Sequence, residues 1–197
     1  MWDERYSTAE YVYGTEPNTF LRSMAGRIPP GRVLSLAEGE GRNGVFLAEL
    51  GYQVVGVDGS AVGLAKARRL ATERGVEIET ILTRLEEFSI EPGVWQGIVS
   101  IFCHVPPPVR RHLHRQVVEG LAPGGHFVLE AYTPAQLALG TGGPKVPELL
   151  MTLDELREEL AGLDLVHARE VRREIHEGRG HGGPSEVVQV VAVRPHP

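Results

Sequence analysis

The chain has 197 residues, 42% of them hydrophobic, with 20 Lys and Arg against 26 Asp and Glu and a net charge of −6. That is enough for one sizeable core and too short for two typical domains, so a single domain over 1–197 is expected. The acidic balance excludes a general nucleic-acid surface, and the single cysteine excludes an intramolecular disulfide and a cysteine-rich zinc site. No apolar run approaches the roughly 20 residues that span a bilayer. The start, Met1-Trp2-Asp3-Glu4-Arg5, lacks a basic region followed by an apolar core, so a cytoplasmic location without membrane partners is expected.

Residues 1–30 are polar and punctuated by Trp2, Tyr6, Tyr11, Tyr13 and Phe20. Such a segment cannot form its own core and is expected to cap the ligand mouth of the main domain. Its aromatics either cover a bound group or simply anchor the terminus. Within it, Tyr13-Gly14-Thr15-Glu16-Pro17-Asn18 reads as a turn before a short helix over 19–24. The run Val33-Leu34-Ser35-Leu36-Ala37, bounded by Gly31 and Gly39, suits a strand covered on both faces. Gly39, Gly41 and Gly44 then fall in a G-x-G-x-x-G pattern, where missing Cβ atoms permit a tight turn, close approach of a ligand and close helix packing. A helix over 43–50 turns Val45, Leu47, Ala48 and Leu50 toward the sheet and stops at Gly51. A second strand over 53–58 ends in Asp58, at the spacing where an acid accepts hydrogen bonds from ribose hydroxyls. Together these make the unit with which an α/β sheet holds a nucleotide.

Ser60 caps a helix over 61–74, which Gly75 ends. Further strands are expected over 76–82, 97–102 and 126–130. Between the last two, a helix over 109–121 is entered through Pro106, Pro107 and Pro108 and left through the turn Pro123-Gly124-Gly125. The basic run Arg110, Arg111, His112, His114 and Arg115 reads as a solvated helix face. Residues 133–148 contain Gly140, Gly142, Gly143, Pro144 and Pro147 and are long enough for a lid or a substrate-binding loop. Thr152-x-x-Glu155 is a capping box that opens a helix to about residue 161. Segments 164–171 and 186–193 read as an antiparallel strand pair, because the polar stretch between them is too short for a crossover helix. Strands alternating with helices imply right-handed parallel crossovers, with ligands outside the carboxyl ends of the strands.

The glycine loop, the acid after the second strand, the Pro-Gly-Gly turn and the final antiparallel pair resemble the class I S-adenosylmethionine-dependent methyltransferases over nearly the whole chain. The resemblance implies a Rossmann-like α/β fold with about seven mostly parallel strands, helices on both faces and a C-terminal antiparallel pair. Within that superfamily, Glu38-Gly39-Glu40-Gly41-Arg42-Asn43-Gly44, Phe46-Leu47-Ala48-Glu49-Leu50-Gly51-Tyr52, Val57-Asp58-Gly59-Ser60 and the Tyr13 leader are similar to the tellurite-resistance and thiopurine methyltransferase-like group. S-adenosylmethionine is then the implied cofactor and S-adenosylhomocysteine the product. The resemblance places Ala37, Glu38, Gly39 and Gly41 under the methionine part and Asn43 at the helix start. It places Asp58 on the ribose hydroxyls, Gly59 and Ser60 beside the adenine, Leu85 and Glu86 at the adenine ring, and Ile101, Phe102 and Cys103 along the cofactor. The chain departs from the pattern at Ser35, where the superfamily usually has an acid, at Glu38, where a cysteine is common, and at Arg84, where many relatives have an acid facing the adenine amino group.

Methyl transfer from a sulfonium is an in-line displacement in which positive charge is lost, so the protein chiefly aligns the acceptor and excludes water. A soft acceptor such as a thiol, selenite or tellurite needs little base catalysis, and an alcohol or amine needs more. The catalytic candidates are His104 after the fourth strand, Tyr132 after the fifth, and His181 in the connection between the last two. The plainer roles are a strand-end histidine that fixes the proline turn for His104 and a solvated loop for His181. The remaining histidines show no metal-ligand spacing, so no metal is expected. Two other functions compete with methylation of a small-molecule substrate. One is a non-catalytic S-adenosylmethionine-binding module; the other is a NAD-dependent oxidoreductase, which shares the glycine pattern but needs a substrate domain.

Overall fold

The structure is a computed structural model and describes residues 2–178 and 181–196. In chain order the elements are α1 (Trp2–Tyr6), α2 (Thr19–Met24), β1 (Arg32–Leu36), α3 (Arg42–Glu49), β2 (Gln53–Asp58), α4 (Ala61–Glu73), β3 (Glu79–Leu82) and β4 (Trp95–Ile101). They are followed by α5 (Pro107–Gly120), β5 (Leu121–Tyr132), α6 (Leu153–Glu159), β6 (Asp164–Glu177) and β7 (His181–Val193). The seven strands form one sheet in the order β3-β2-β1-β4-β5-β7-β6. β1 to β5 run parallel, and β7 is antiparallel to both of its neighbours. This is the expected Rossmann-like sheet with its C-terminal antiparallel pair.

Strand residues feed two cores alternately, as period-two side chains must when both faces are covered. Leu34, Leu36, Ile98, Phe127 and Leu129 pack with Leu113 and Val117 of α5 and Leu156 of α6. Val33, Val99 and Val128 pack on the other face with Phe20 and Leu21 of α2 and Leu47 of α3. The sheet reverses its winding between β1 and β4, so the crevice at their carboxyl ends is where this topology leaves room for a ligand.

The turn from β1 into α3 is held from inside by Glu38. Gly41 is the N-cap of α3 at φ +96° and has no side chain with which to cap it. Glu38 Oε1 instead accepts the N–H of Gly44 at 2.9 Å. A Cβ on Gly44 would lie 2.3 Å from that oxygen, so any larger residue there would displace the Glu38 carboxylate from the turn it holds. Burial pushes the Glu38 carboxyl up to about 7, against interactions with Ser35 and the Gly44 amide that favour the ion.

Several expected boundaries move. Val76 donates to Ala71 O and closes α4 after Gly75, so β3 starts three residues later than the pattern predicts. α5 begins at Pro107, two residues earlier, because prolines fit the first helical turn, where their missing N–H is no loss. Pro123-Gly124-Gly125 lies within β5, beside a register shift against β4, and is not a turn ahead of it. The polar stretch 172–185 is part of the β6–β7 hairpin, with pairing continuing to Glu177 opposite His181. Its inward positions are Arg173, Ile175 and Glu177, and the two charged ones concealed the alternation.

The basic run on α5 is also not a solvated face throughout. Arg110 is buried and meets Glu159 through Nε at 3.0 Å and Nη2 at 2.7 Å, with Glu155 at 3.1 Å. His114 Nδ1 lies 2.6 Å from Glu159 Oε2. Burial alone would raise Glu159, but hydrogen bonds from His114 and Arg110 outweigh it and hold the carboxyl below its usual value.

Two stability measurements follow from these buried carboxyls. Replacing Glu159 with alanine leaves the buried Arg110 guanidinium with only Glu155 and the Leu150 carbonyl, leaves His114 unpaired, and is expected to cost about 3 kcal/mol in urea unfolding at pH 7. In the unsubstituted protein that contribution fades as pH falls below about 4.5, the carboxyl's unfolded value. Glu38 has the opposite sign, because its raised pKa stabilises the fold below pH 4.5 and loses that contribution as pH rises through about 7. Glu38→Gln is therefore expected to match the parent at pH 4.5 and to exceed it by roughly 2 kcal/mol at pH 8. Equal pH profiles would contradict the buried acid.

Candidate active site

At the carboxyl end of β2, Asp58 joins the two turns that flank the crevice. Its Oδ2 accepts the Gly39 N–H at 2.9 Å and its Oδ1 accepts the Ser60 N–H at 2.8 Å. Burial raises the Asp58 carboxyl despite these bonds, and Asp3 adds to the rise. The charge of Asp58 in turn raises Tyr6, Glu38 and Cys103, groups on three other segments for which burial is the larger cause. Cys103 reaches about 12. Ala37 and Phe102, the non-glycine residues with positive φ among the described residues, stand at +53° and +52° just past the ends of β1 and β4. A bulky residue held in that region marks a locally constrained backbone, here on both sides of the switch point.

The leader closes over this crevice. Asp3 Oδ1 accepts from Ser60 Oγ at 2.5 Å and from the Val62 N–H at 3.2 Å, at the start of α4. The Tyr6 hydroxyl lies against Gly39, where a Cβ would sit 2.8 Å away, and the Tyr6 ring lies against Gly63. Tyr6 stacks on Trp2 and meets the edge of Tyr13. Glu40 Oε2 accepts the Val12 N–H at 2.8 Å, while Glu40 Oε1 pairs with Lys66 Nζ at 2.7 Å.

On the β4–β5 side the rings of Phe102 and Tyr132 stack at 4.7 Å, and His104 stacks on Tyr132 at 5.7 Å. His104 Nδ1 is 2.8 Å from Leu149 O, and its Nε2 accepts the Tyr132 N–H at 3.3 Å. Both bonds are satisfied by the neutral ring with its proton on Nδ1. Burial pulls its pKa down to about 4. Burial and the Glu177 charge raise the Tyr132 phenol against a hydrogen bond with Ser185. Residues 133–148 are tied to the hairpin, where Gln136 Oε1 accepts the Glu186 N–H at 2.8 Å and Thr141 Oγ1 donates to Pro184 O at 2.5 Å.

Of the residues predicted from sequence, Ala37, Gly39, Asp58, Ser60 and Phe102 lie at the carboxyl ends of β1, β2 and β4, whereas Glu38 is buried beneath the turn, Gly41 packs on Ala67 of α4 and Cys103 joins the core beside α5. Asn43 faces the leader, its Oδ1 accepting the Asn18 N–H at 2.9 Å. Gly59 packs beside Thr83 and Arg84. Ile101 joins the core beside α2, and Leu85 the core beside α5. Glu86 is exposed and pairs with Arg84. His181 begins β7 opposite Glu177, and its side chain lies outside the described residues. Among the described residues no group of three His, Cys, Asp or Glu could hold a metal, and no helix is long and apolar enough to cross a membrane.

Sequence reasoning missed a buried polar joint beside this site. Asn18 Nδ2 donates to Glu130 Oε1 at 2.9 Å and Glu177 Oε1 at 3.0 Å. Arg42, in the first turn of α3, pairs with Glu177 at 2.7 Å. Arg173 reaches both carboxylates, and Gln189 Nε2 donates to Glu130 Oε2 at 2.6 Å. The available signal was Glu130 itself, an acid inside the apolar run 127–132, which a buried strand tolerates only when paired.

Comparison with known proteins agrees with this geometry. Residues 33–125 match the family described as a methyltransferase domain. A curated relative, the 2-heptyl-1-hydroxyquinolin-4(1H)-one methyltransferase of Mycobacteroides abscessus, is 26% identical over 117 residues, covering 58% of this chain and 52% of its own. The chain thus spans about half the length of that relative. Among solved structures, TehB from Haemophilus influenzae superposes with a TM-score of 0.73 at 20% identity, over 98% of this chain and 65% of TehB. The N-methyltransferase NodS from Bradyrhizobium japonicum WM9 gives 0.69 at 16% identity, over 98% of this chain and 96% of NodS. The chain therefore has the class I methyltransferase fold, and residues 33–125 carry the sequence pattern of the methyltransferase domain.

Proposed function

We propose that this chain binds S-adenosylmethionine over the glycine turn and directs its methyl group to a small-molecule acceptor. The observation that carries the reading is Asp58, a buried carboxylate bonded to Gly39 and Ser60 at the switch point of a methyltransferase-fold sheet. The residues fit the cofactor chemically. Asp3 and Asp58 interact electrostatically to make a negative field that favours a sulfonium, and the Asp58 oxygens keep lone pairs for hydroxyl donors. When bound, the cofactor supplies a methyl group on positively charged sulfur.

Ala37, Glu38, Gly39, Gly41 and Asn43 would hold its methionine part and Asp58 its ribose. Gly59, Ser60, Leu85 and Glu86 would border the adenine, and Ile101, Phe102 and Cys103 the reacting end. Glu38 would act from beneath, by fixing the turn through Gly44. The stacked rings of Phe102, Tyr132 and His104 would exclude water on the acceptor side.

The finer reading concerns the acceptor. His104 has both nitrogens engaged by main-chain groups, Tyr132 is buried and raised, and Cys103 stands near 12. None of these three is set to take a proton at neutral pH, which supports an acceptor that brings its own lone pair, such as a thiolate, selenite or tellurite. His104 and Tyr132 then position the acceptor, and His181 is the third candidate to touch it. The subgroup resemblance carried by the leader and the 38–44 loop, and the likeness to TehB, support the same class. The acceptor in the name of the Mycobacteroides abscessus relative supports a small molecule more generally.

The test is transfer of label from methyl-labelled S-adenosylmethionine into a panel of a thiol, selenite, tellurite and an aliphatic alcohol. The thiol rate is expected to rise with pH in step with the acceptor's own thiolate fraction, with no inflection from His104, Tyr132 or Cys103; an inflection near 7 belongs to Glu38 beneath the turn. Preference for the alcohol, or an inflection away from pH 7 that persists when the acceptor is changed, would contradict the reading. Cofactor binding without transfer to any acceptor would favour the non-catalytic binding module.

A further inference from the structure

The leader motif ends in Asn18, which the proposed chemistry does not use, yet it is fully buried and hydrogen-bonded at every polar atom. Its N–H donates to Asn43 Oδ1 at 2.9 Å, its Oδ1 accepts the Leu21 N–H at 2.9 Å as the cap of α2, and its carbonyl accepts the Arg22 N–H at 2.9 Å. Its Nδ2 uses one proton on Glu130 of β5 and the other on Glu177 at the tip of β6.

Two of these partners lead to opposite sides of the crevice. Asn43 and Arg42 form the first turn of α3, directly after the glycine loop, and Arg42 pairs with Glu177 at 2.7 Å. Glu130 lies two residues before Tyr132, and its carbonyl accepts the Phe102 N–H at 2.8 Å. Arg173 of β6 bonds both carboxylates from its less buried side. Gly178, just beyond the strand, is pressed against the backbone of Tyr13 and Gly14, where a Cβ would fall 2.4 Å from Tyr13 C. Two carboxylates and two guanidiniums therefore meet around one amide. In this buried network Arg42 Nη1 and Glu177 Oε2 meet as an ion pair without hydrogen-bond geometry, so separating them would leave two buried charges uncompensated, and the members are held to move together.

We infer that Asn18 is a positioning residue that couples the glycine loop to the β6–β7 hairpin, so that cofactor in the loop sets the hairpin on the acceptor side. The inference rests on the proposed cofactor site. It gives the Glu16-Pro17-Asn18 stretch a role distinct from covering the cofactor, because none of its polar contacts is to Asp58, Gly39 or Ser60.

The test is hydrogen–deuterium exchange of the full chain with and without S-adenosylhomocysteine, compared with Asn18→Asp. That variant keeps the Oδ1 cap of α2, removes both Nδ2 donors and sets a third carboxylate against Glu130 and Glu177. In the parent, ligand is expected to slow exchange in residues 37–44 and also in 171–177 and 181–187, by about fivefold or more in the hairpin, the lower end of ordinary site-to-site coupling. In Asn18→Asp the protection of 37–44 is expected to remain and that of the hairpin to vanish. Arg173→Gln, which releases the joint from its less buried side, carries the same comparison if Asn18→Asp does not fold. Loop protection without hairpin protection in the parent would overturn the coupling, as would hairpin protection retained in both variants. If the ligand protects neither segment in the parent, the cofactor reading fails and the coupling with it.

Discussion

The hydrogen bond from the Gly39 amide to the Asp58 carboxylate is the constraint on which the rest of the site depends. Where two parallel strands end side by side, the turn that leaves β1 has amides without ladder partners, and the acid at the end of β2 satisfies that of Gly39. The price is a carboxylate in a buried position, raised above its usual range. From that bond the glycine turn acquires its path, Gly41 can start α3 without a capping side chain, and Glu38 must reach beneath the turn to supply the missing cap at Gly44. The acidity of the crevice is thus built into the backbone arrangement, and it is also what makes the crevice suited to a cationic ligand.

Around that centre the chain encloses the crevice with pieces far apart in sequence. The leader contributes Asp3 and Tyr6 over the loop, and the stretch after β4 contributes Phe102 and His104. The hairpin contributes Glu177, and residues 133–148 are fixed to the hairpin through Gln136 and Thr141. Each piece is short and has little core of its own, so polar bonds hold them where apolar burial cannot. Buried ion pairs are poor sources of net stability but strict about geometry. The Asn18 joint and the Arg110–Glu159 cluster sit on opposite faces of the sheet, and both join an element following a sheet strand to a later part of the chain.

Much of the fold was legible because hydrophobic period and glycine placement coincide in it. The strand 53–58, the helix 19–24 and the capping box at Thr152 are found where the pattern puts them, since each rests on local chemistry. The hairpin was only half legible, because its overhang buries Arg173 and Glu177 and so breaks the polar-out rule on which strand reading rests. The solvated-face reading of α5 failed for the same reason, as Arg110 and His114 find acids on α6 that no spacing within α5 could announce. Most of the proposed cofactor side was named from one contiguous stretch, 37–60, where glycine spacing and a strand-end acid fall close together. The joint at Asn18 could not, because its partners are 112 and 159 residues away and pair through side-chain chemistry that leaves no period in the sequence.

The most direct measurement of the central claim is calorimetric titration of the purified chain with S-adenosylmethionine, S-adenosylhomocysteine and NAD, beside an Asp58→Ala variant. The account predicts that both sulfur nucleotides bind the parent, that NAD does not, and that Asp58→Ala loses the binding while remaining folded. Binding of NAD alone, or undiminished binding of the sulfur nucleotides by Asp58→Ala, would contradict it.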